Sequence, residues 1–325
     1  MGALSCRHVL SMSDLSVDDI DLVLETATPF KEVNERAIKK TPTLRGLTVV
    51  NFFLEASTRT RTSFEIAAKR LSADAINFGG SASATAKGES LVDTAQTLDA
   101  MNCDLVVIRH RYAGSPFILT QNMRAHVING GDGKHQHPTQ ALLDLYTIRE
   151  RFGAVKGLRV GVVGDIAHSR VCGSLVWGLT ALGAQVVLVA PPTLLPACPK
   201  LLACPATPGE PETAPVTVSS RLDDVLPELD VVYMLRIQME RIEQAPFPSL
   251  REYAQLFGIN RRRLAAMKPE AIIMHPGPVN RGVELTSDAV DTARNLLLYQ
   301  VNAGVAVRMA LMYLLLGGED DGFAS

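Results

Sequence analysis

The stretch LTVVNFFLEASTRTRTSFEIAAKR, residues 47–70, places a strand directly before a helix and indicates how the first half of the chain folds. Residues 47–53 are a short apolar run, which predicts a buried β-strand. The pattern of residues 60–71 predicts a helix. The polar run from Ser57 to Thr60 stands where the strand ends and the helix begins, so it is the first candidate for a binding site.

Two or three hydroxyls and a guanidinium at this junction favour an anion site. The first N–H groups of a helix lack partners within the helix, and the helix dipole is positive there. Arg59 can bind a phosphate through two parallel hydrogen bonds. The alternative is plain helix capping, with Arg59 and Arg61 in solvent. Capping explains one hydroxyl but not the whole run Ser57, Thr58, Arg59 and Thr60, so the sequence favours phosphate binding.

Short β-rich runs alternate with longer helical patterns along the rest of the chain. This alternation predicts an α/β protein with mainly parallel sheets flanked by helices on both faces. The further predicted strands are 75–79, 104–109, 126–129, 158–165, 185–190, 230–235 and 271–275. The predicted helices are 60–71, 89–101, 138–151, 169–182 and 286–316.

The segment RERFGAVKG, residues 149–157, follows a long helical pattern and contains two glycines, which predicts a domain boundary there. We expect one domain at 1–150 and a second at 151–325, linked by long helices. The terminal helix is expected to pack back on the first domain. The proline-rich segment 191–215 is expected to be an irregular surface excursion.

Charge composition restricts the ligands. Among 325 residues, 32 are Lys or Arg and 34 are Asp or Glu, so the formal net charge is −2. Such a chain has no overall field to attract nucleic acid or an anionic membrane. An anionic ligand must therefore be bound by cations that are grouped locally.

The cysteines and the apolar segments predict a protein of the reducing cytoplasm. Five cysteines, an odd number without CxxC spacing, favour free thiols. The start of the chain has no long apolar run typical of a secretory signal. Gln300, Asn302 and Arg308 interrupt the apolar stretch 295–316, which favours a buried terminal helix over a membrane span. His135 and His137 are the only histidine cluster, and this spacing alone is weak evidence for a metal.

The run FFLEASTRTRTSFE, residues 52–65, resembles the carbamoyl-phosphate signature of the aspartate/ornithine carbamoyltransferase family. Six further blocks stand in the family's order, so the resemblance covers nearly the whole chain. Ornithine enzymes typically carry an SMG-type loop and an HCLP motif, whereas this chain has LRIQMER and HPGP there, which favours the aspartate branch. The six blocks are SASATAKGES (81–90), VIRH (107–110), HPTQALLDL (137–145), GDIAHSR (164–170), YMLRIQMER (233–241) and HPGPVNRG (275–282).

The resemblance implies transfer of the carbamoyl group of carbamoyl phosphate to the α-amine of L-aspartate, giving N-carbamoyl-L-aspartate and phosphate in pyrimidine biosynthesis. It makes 1–150 the carbamoyl-phosphate domain and 151–325 the aspartate domain. The residues implied for carbamoyl-phosphate binding through hydroxyl, guanidinium and ammonium groups are Ser57, Thr58, Arg59, Thr60, Ser83, Lys87 and Arg109. In the family, the loop with Ser83 and Lys87 reaches the site of a neighbouring subunit. Taken alone, it would be an ordinary solvated loop.

The carbonyl oxygen becomes an oxyanion during the reaction and needs hydrogen-bond donors. The matching donors are Thr60, Arg109 and His137, which together with Arg59 make up the implied catalytic set. The groups implied to bind the carbamoyl NH2 are Gln140 and the backbone carbonyls of Pro276 and Gly277. Taken alone, His137 would more often be a capping or core histidine.

The second substrate carries two carboxylates, which suit two separate guanidinium groups. The resemblance assigns Arg170 to the α-carboxylate and Arg236 with Gln238 to the side-chain carboxylate, with a contribution from Lys87. Glu55 is expected to support the closure of the domains rather than to act as a base. No cofactor and no metal are implied. The family works as homotrimers, alone or with a regulatory chain or a dihydroorotase.

Three alternatives carry other functions. An ornithine enzyme would need an anionic or polar group for the substrate ammonium, and Arg236 with Gln238 oppose it. A dinucleotide-binding protein is suggested by GVVGD at 161–165, but the spacing is not GxGxxG and the strand 185–190 ends without an acidic residue. A non-catalytic subunit would usually lack some site residues, whereas every matched position is filled here.

Overall fold

The structure is a computed structural model that describes residues 2–79, 89–205, 216–237 and 249–317. The chain divides into two compact units. The first extends to Tyr146 and resumes at Asn302, and the second is Thr147–Val301. The chain passes from one unit to the other within two helices, Pro138–Phe152 and Leu297–Leu316.

The first unit alternates strands and helices. Its elements in chain order are α1 (Val17–Glu35), β1 (Thr48–Phe53), α2 (Thr58–Arg70), β2 (Asp74–Gly79), α3 (Leu91–Ala100), β3 (Leu105–His110), α4 (Ser115–Thr120), β4 (His126–Asp132) and the start of α5 (Pro138–Phe152). The strands form a parallel sheet in the order β2-β1-β3-β4. The chain leaves β1 for β2 on one side and returns to β3 on the other, so the direction of winding reverses between β1 and β3.

The sequence of β1 explains its central place. Apart from Thr48, all its residues are buried, as expected for a parallel strand covered on both faces. Phe52 packs in an apolar cluster with Val106, Ile108 and Val127. The register pairs Phe53 with Arg109, so the carboxyl ends of β1 and β3 lie side by side.

The second unit contains a five-stranded parallel sheet in the order β7-β6-β5-β8-β9. Here the winding reverses between β5 and β8. Its elements are β5 (Arg159–Val163), α6 (Arg170–Ala181), β6 (Gln185–Val189), β7 (Val216–Ser219), α7 (Leu222–Val225), β8 (Val231–Met234), α8 (Leu250–Phe257), α9 (Arg261–Ala266), β9 (Ile272–Met274), α10 (Ser287–Val290) and the start of α11 (Leu297–Leu316). The rest of α11 belongs to the first unit.

The predicted fold class, an α/β protein with two mainly parallel sheets flanked by helices, is confirmed. All eight predicted strands are present, and the structure adds β7, an edge strand of four residues beside the proline-rich segment. Helices α1, α4, α7, α8 and α9 were not among those predicted.

The prediction of one helix over 286–316 is wrong. The structure has α10 and α11 with a non-helical segment between them. There the N–H of Leu296 donates to the carbonyl of Ile273 (2.9 Å), and the N–H of Ile273 donates to the carbonyl of Arg294 (2.8 Å). The backbone of 294–296 is therefore engaged by β9 and does not form helical bonds. This partner lies far away in sequence, so local periodicity carries no sign of it.

Helix α11 is long and apolar enough to cross a membrane by length and composition, and 67% of its most apolar 18-residue window is buried in the structure. The polar residues that interrupt it have partners. The side-chain oxygen of Gln300 accepts from the N–H of His275 (3.0 Å), and Arg308 donates to the hydroxyl of Ser63 (2.9 Å). The expected buried terminal helix is thus present.

Candidate active site

Helix α2 begins immediately after β1, and its N-cap residue is Ser57. The backbone of Ser57 is extended (φ −159°, ψ 94°), and its side chain makes no capping hydrogen bond. The serines that cap four other helices do accept from their own helix; they are Ser16, Ser90, Ser169 and Ser249. Plain capping therefore does not describe Ser57, and its hydroxyl remains available to a ligand. Thr58 and Arg59 are exposed beside it, and Thr60 is buried.

Arg109 lies at the carboxyl end of β3, next to this helix N-terminus. Its Nη2 donates to Glu55 Oε1 (3.3 Å), and its Nη1 donates to the carbonyl of Gly130 in β4 (3.1 Å). Only 13% of the side chain is exposed. The guanidinium is therefore held at the point where the winding of the sheet reverses, which is where open α/β sheets bind ligands.

The loop before α5 is tied to a buried aspartate, Asp132. Its carboxylate accepts from the N–H of Gly114 (2.8 Å), the N–H of Gln136 (3.0 Å) and Nδ1 of His135 (3.1 Å). This loop carries His137, which is buried and directly precedes α5. Sequence reasoning did not identify Asp132, because two of its partners are backbone N–H groups and no motif reveals such contacts.

Gln140 stands in the first turn of α5. Its Nε2 donates to Asp144 (3.0 Å), so Oε1 is the atom of this amide that can accept from a ligand.

The buried cation Arg308, in α11, contacts two residues of α2. Its Nη1 donates to the hydroxyl of Ser63 (2.9 Å), and its guanidinium lies 5.0 Å from the centre of the Phe64 ring. Burial lowers the pKa of Arg308 to about 10, so it stays protonated at neutral pH. Arg308 thus supports the helix that carries Ser57 to Thr60, a role that the sequence analysis missed.

The second unit places its matched residues at the carboxyl ends of β5, β8 and β9. Arg170 is the first residue of α6, is buried, and follows Ser169, whose hydroxyl accepts from the N–H of Cys172 (3.3 Å). Arg236 follows β8 and is half-buried. These two positions flank the winding reversal between β5 and β8.

Pro276 and Gly277 follow β9. Gly277 has φ 63°, a left-handed conformation that favours glycine, and its N–H donates to Nδ1 of His275 (2.8 Å). The carbonyls of this turn are therefore held in a defined direction.

Each unit thus carries part of the predicted site on segments that follow the strands of its own sheet. The first unit carries Ser57, Thr58, Arg59, Thr60, Arg109, His137 and Gln140, and the second carries Arg170, Arg236, Pro276 and Gly277. Ser83, Lys87 and Gln238 lie outside the described residues. His135 of the histidine pair is engaged by Asp132. All five cysteines are free thiols.

Comparison with known proteins agrees along nearly the whole chain. Residues 7–150 match the carbamoyl-P binding domain of the aspartate/ornithine carbamoyltransferases, and residues 156–315 match their Asp/Orn binding domain. The chain is 55% identical to the aspartate carbamoyltransferase catalytic subunit of Thermobifida fusca (strain YX) over 312 residues, 96% of each protein. It is 52% identical to that of Pelotomaculum thermopropionicum over 312 residues, 96% of this chain and 97% of the relative.

Solved structures give the same result. The aspartate transcarbamoylase of Trypanosoma cruzi in complex with N-(phosphonacetyl)-L-aspartic acid superposes with a TM-score of 0.85 at 30% identity, over 95% of both chains. The catalytic subunit of the M. jannaschii aspartate transcarbamoylase gives 0.83 at 32% identity, over 97% of this chain and all of the other. With both domains matched and relatives at this identity, the chain belongs to the aspartate/ornithine carbamoyltransferase family.

Proposed function

We propose that the chain transfers the carbamoyl group of carbamoyl phosphate to the α-amine of L-aspartate, releasing N-carbamoyl-L-aspartate and phosphate. The observation that carries this function is the placement of cations at two winding reversals. One site joins a helix N-terminus, an unused Ser57 hydroxyl and Arg109, which suits a phosphate. The other carries Arg170 and Arg236, which suit the two carboxylates of aspartate.

The choice of aspartate over ornithine rests on Arg236. The side chain of ornithine ends in an ammonium, which a guanidinium repels, whereas the side chain of aspartate ends in a carboxylate that accepts from it. Gln238 supports the same end of the substrate. In the cytoplasm, this reaction supplies carbamoyl aspartate for pyrimidine biosynthesis.

In the reaction, the lone pair of the amine attacks the carbonyl carbon and a C–N bond forms. The carbonyl oxygen takes up negative charge, and Thr60, Arg109 and His137 donate hydrogen bonds to it. The C–O bond to the phosphate then breaks and restores the carbonyl, and the departing phosphate takes up the proton that the attacking amine loses. Ser57, Thr58 and Arg59 balance the charge of the departing phosphate.

The carbamoyl NH2 is oriented by acceptors. Gln140 offers Oε1 because its Nε2 is engaged by Asp144. The carbonyls of Pro276 and Gly277 supply the remaining acceptors. These contacts hold the carbonyl carbon in line for attack and lower the entropic cost of the reaction.

The assembly we propose is a homotrimer in which Ser83 and Lys87 of one chain complete the site of its neighbour. The relatives are described as catalytic subunits, which supports an assembled state. Lys87 adds a fifth cation to Arg59, Arg109, Arg170 and Arg236.

The decisive experiment offers carbamoyl phosphate with aspartate, ornithine or N-acetylornithine in parallel. We expect carbamoylation of aspartate alone. The Arg236→Ala variant should raise the KM for aspartate strongly, whereas Arg221→Ala, which removes an exposed arginine of the same unit paired with Asp224, should not. Activity with ornithine only would refute the assignment.

A further inference from the structure

Glu284 is a completely buried carboxylate of the second unit to which no role has been assigned. Its Oε1 accepts from the N–H of Ile237 (2.9 Å) and from Nδ2 of Asn280 (2.7 Å). Its Oε2 accepts from the N–H of Asn280 (2.6 Å). A buried charge is costly unless it is satisfied by hydrogen bonds, and here three donors meet one carboxylate. One of these donors is the backbone N–H that directly follows Arg236.

The same carboxylate faces His275, which is also buried. Because Nδ1 of His275 accepts the N–H of Gly277 (2.8 Å), the proton of the neutral ring is on Nε2. This Nε2 lies 3.8 Å from Oε2 of Glu284. The ring therefore stands between the carboxylate and the turn that carries the Pro276 and Gly277 carbonyls. The backbone N–H of His275 is held in turn by Gln300 (3.0 Å).

Tyr253 relates Glu284 to a third segment of the second unit, the end of β5. This side chain is buried, and both burial and the charges of Glu284 and Asp165 raise its pKa. Its hydroxyl would lie 3.0 Å from a Cβ on Gly164, at the carboxyl end of β5. The charge of Glu284 thus acts on a side chain beside the end of β5, and its hydrogen bonds reach the segments after β8 and β9.

We propose that Glu284 is a positioning residue for aspartate: with His275, it holds the backbone at Arg236–Ile237 and at Pro276–Gly277 in the arrangement that binds the second substrate. This inference rests on the proposed function, since it assigns aspartate to these segments. Glu284 acts through its neighbours and does not itself touch substrate. Both side-chain oxygens of Glu284 accept hydrogen bonds, so the positioning role requires two acceptor atoms.

The Glu284→Gln variant tests this inference because it keeps the shape and removes one acceptor. Its amide oxygen can still accept from Ile237 and from Nδ2 of Asn280, but its NH2 then faces the backbone N–H of Asn280. We expect the KM for aspartate to rise by about tenfold or more, in line with a lost hydrogen bond to a charged group. The dissociation constant of inorganic phosphate should stay within about twofold, because the phosphate-binding residues belong to the first unit. Hydrogen exchange of the Ile237 and Gly277 amides should become faster.

The matched control is Asp223→Asn, also in the second unit. It weakens the bond between Asp223 in α7 and the buried Arg263 in α9 (2.7 Å), and neither helix carries a predicted site residue. This variant should lower the Tm and leave the KM for aspartate unchanged. If Glu284→Gln behaved like the control, with a lower Tm and an unchanged KM, the inference would be overturned. A proportional loss of phosphate and aspartate binding would overturn it as well.

Asn280→Ala provides a second variant in case Glu284→Gln does not fold. It removes one side-chain donor to Glu284 and should raise the KM for aspartate by a smaller factor, without an effect on phosphate. An unchanged KM in this folded variant would contradict the inference. If wild-type protein did not carbamoylate aspartate, the proposed function would fail, whereas unchanged exchange at Ile237 and Gly277 in Glu284→Gln would refute the positioning role by itself.

Discussion

A single guanidinium shows how this protein directs charge at the scale of the residue. Arg109 could adopt many rotamers on a free surface, but Glu55 and the carbonyl of Gly130 fix the direction of its donors. The carboxylate also offsets part of the charge of the guanidinium before a ligand binds. A preorganised donor of this kind stabilises developing negative charge without reorganisation during the reaction.

We predict that Arg109→Ala lowers kcat by roughly 10² to 10³, the usual effect of losing one donor to an oxyanion. Steady-state kinetics with saturating substrates measure this change. Arg124→Ala is the matched control, because Arg124 is an exposed arginine of the same unit paired with Asp99 (3.2 Å), and its kcat should not change. Equal activity in the two variants would contradict the assigned role of Arg109.

The pair of His135 and Asp132 predicts a pH dependence of stability. The hydrogen bond to Asp132 raises the pKa of His135 above its usual 6.5, against the opposing effect of burial. Burial raises the pKa of Asp132, but hydrogen bonds from His135, Asn129 and Gly114 outweigh it and lower the pKa overall. The pair is therefore fully stabilising between the usual pKa of Asp and pH 6.5, and its contribution is lost as pH rises through the folded-state pKa of His135.

The measurement is the Tm of wild type and His135→Gln at pH 5.5 and at pH 8.5. The variant should be less stable than wild type at pH 5.5 and similar to it at pH 8.5. The difference should be at most about 1 kcal/mol, because solvent screens a half-exposed pair. Lys134→Gln, at the neighbouring exposed position, should show no such dependence. A deficit that is larger at pH 8.5 would contradict the assigned ion pair.

At the scale of the element, helix N-termini serve two different purposes. Ser16 accepts from the N–H of Asp19 (3.1 Å) and stabilises α1 through a capping box. Ser57 occupies the equivalent position of α2 and makes no such bond. The first turn of α2 therefore lacks the side-chain cap that α1 has, at some cost in helix stability, and the proposed function assigns its donors and hydroxyls to the phosphate.

This contrast makes a paired prediction. Ser16→Ala should lower the free energy of unfolding by about 1 kcal/mol, the usual cost of losing an N-cap. Ser57→Ala should change it by only a few tenths of a kcal/mol, since no capping bond is lost, but should weaken the binding of inorganic phosphate. Chemical denaturation and calorimetric titration measure the two effects. A Ser57→Ala variant that is destabilised like Ser16→Ala, with unchanged phosphate binding, would identify Ser57 as a simple cap.

Strands and helices were predictable to the extent that their signal is local. The buried strands β1, β5 and β8 are apolar apart from Thr48, Asn51 and Arg159, and the sequence alone reveals them. The edge strand β7 has only four residues, in which apolar and polar side chains alternate, so the sequence pattern that would predict it is weak. The break between α10 and α11 arises from hydrogen bonds to β9, which no periodicity encodes.

At the scale of the whole molecule, the proposed shared site predicts a mass in solution of about three times the 35.1 kDa of one chain. It also predicts complementation. Arg109→Ala and Lys87→Ala should each be nearly inactive as homotrimers, because each lacks a cation in every site. A complete site needs Arg109 from a Lys87→Ala chain and Lys87 from a neighbouring Arg109→Ala chain. In an equal mixture that reassembles at random, about a quarter of the sites meet this condition, so activity should return to about a quarter of wild type.

Light scattering and activity assays before and after reassembly measure these outcomes. A mixture of wild type and Arg109→Ala serves as the control for reassembly. An active monomer, or a mixture of the two variants that stays inactive although it reassembles, would refute sites shared between chains.

The sequence alone determined the class of the fold, the family and the order of the site residues. These properties reside in contiguous patterns: apolar runs that bury strands, and motifs such as Ser57 to Thr60 whose chemistry follows from neighbouring residues. A net charge of −2 argued against a general attraction for polyanions, and local cation motifs indicated small anionic ligands.

The tertiary structure alone decided how these residues are aimed. Arg308 reaches Ser63 across 245 positions, and Glu284 holds Ile237 across 47. Ser57 stands at the N-cap of α2 without a capping bond, although its residue type favours one. Buried polar groups must find partners wherever the fold brings donors and acceptors together, so their roles depend on contacts that the linear sequence does not display.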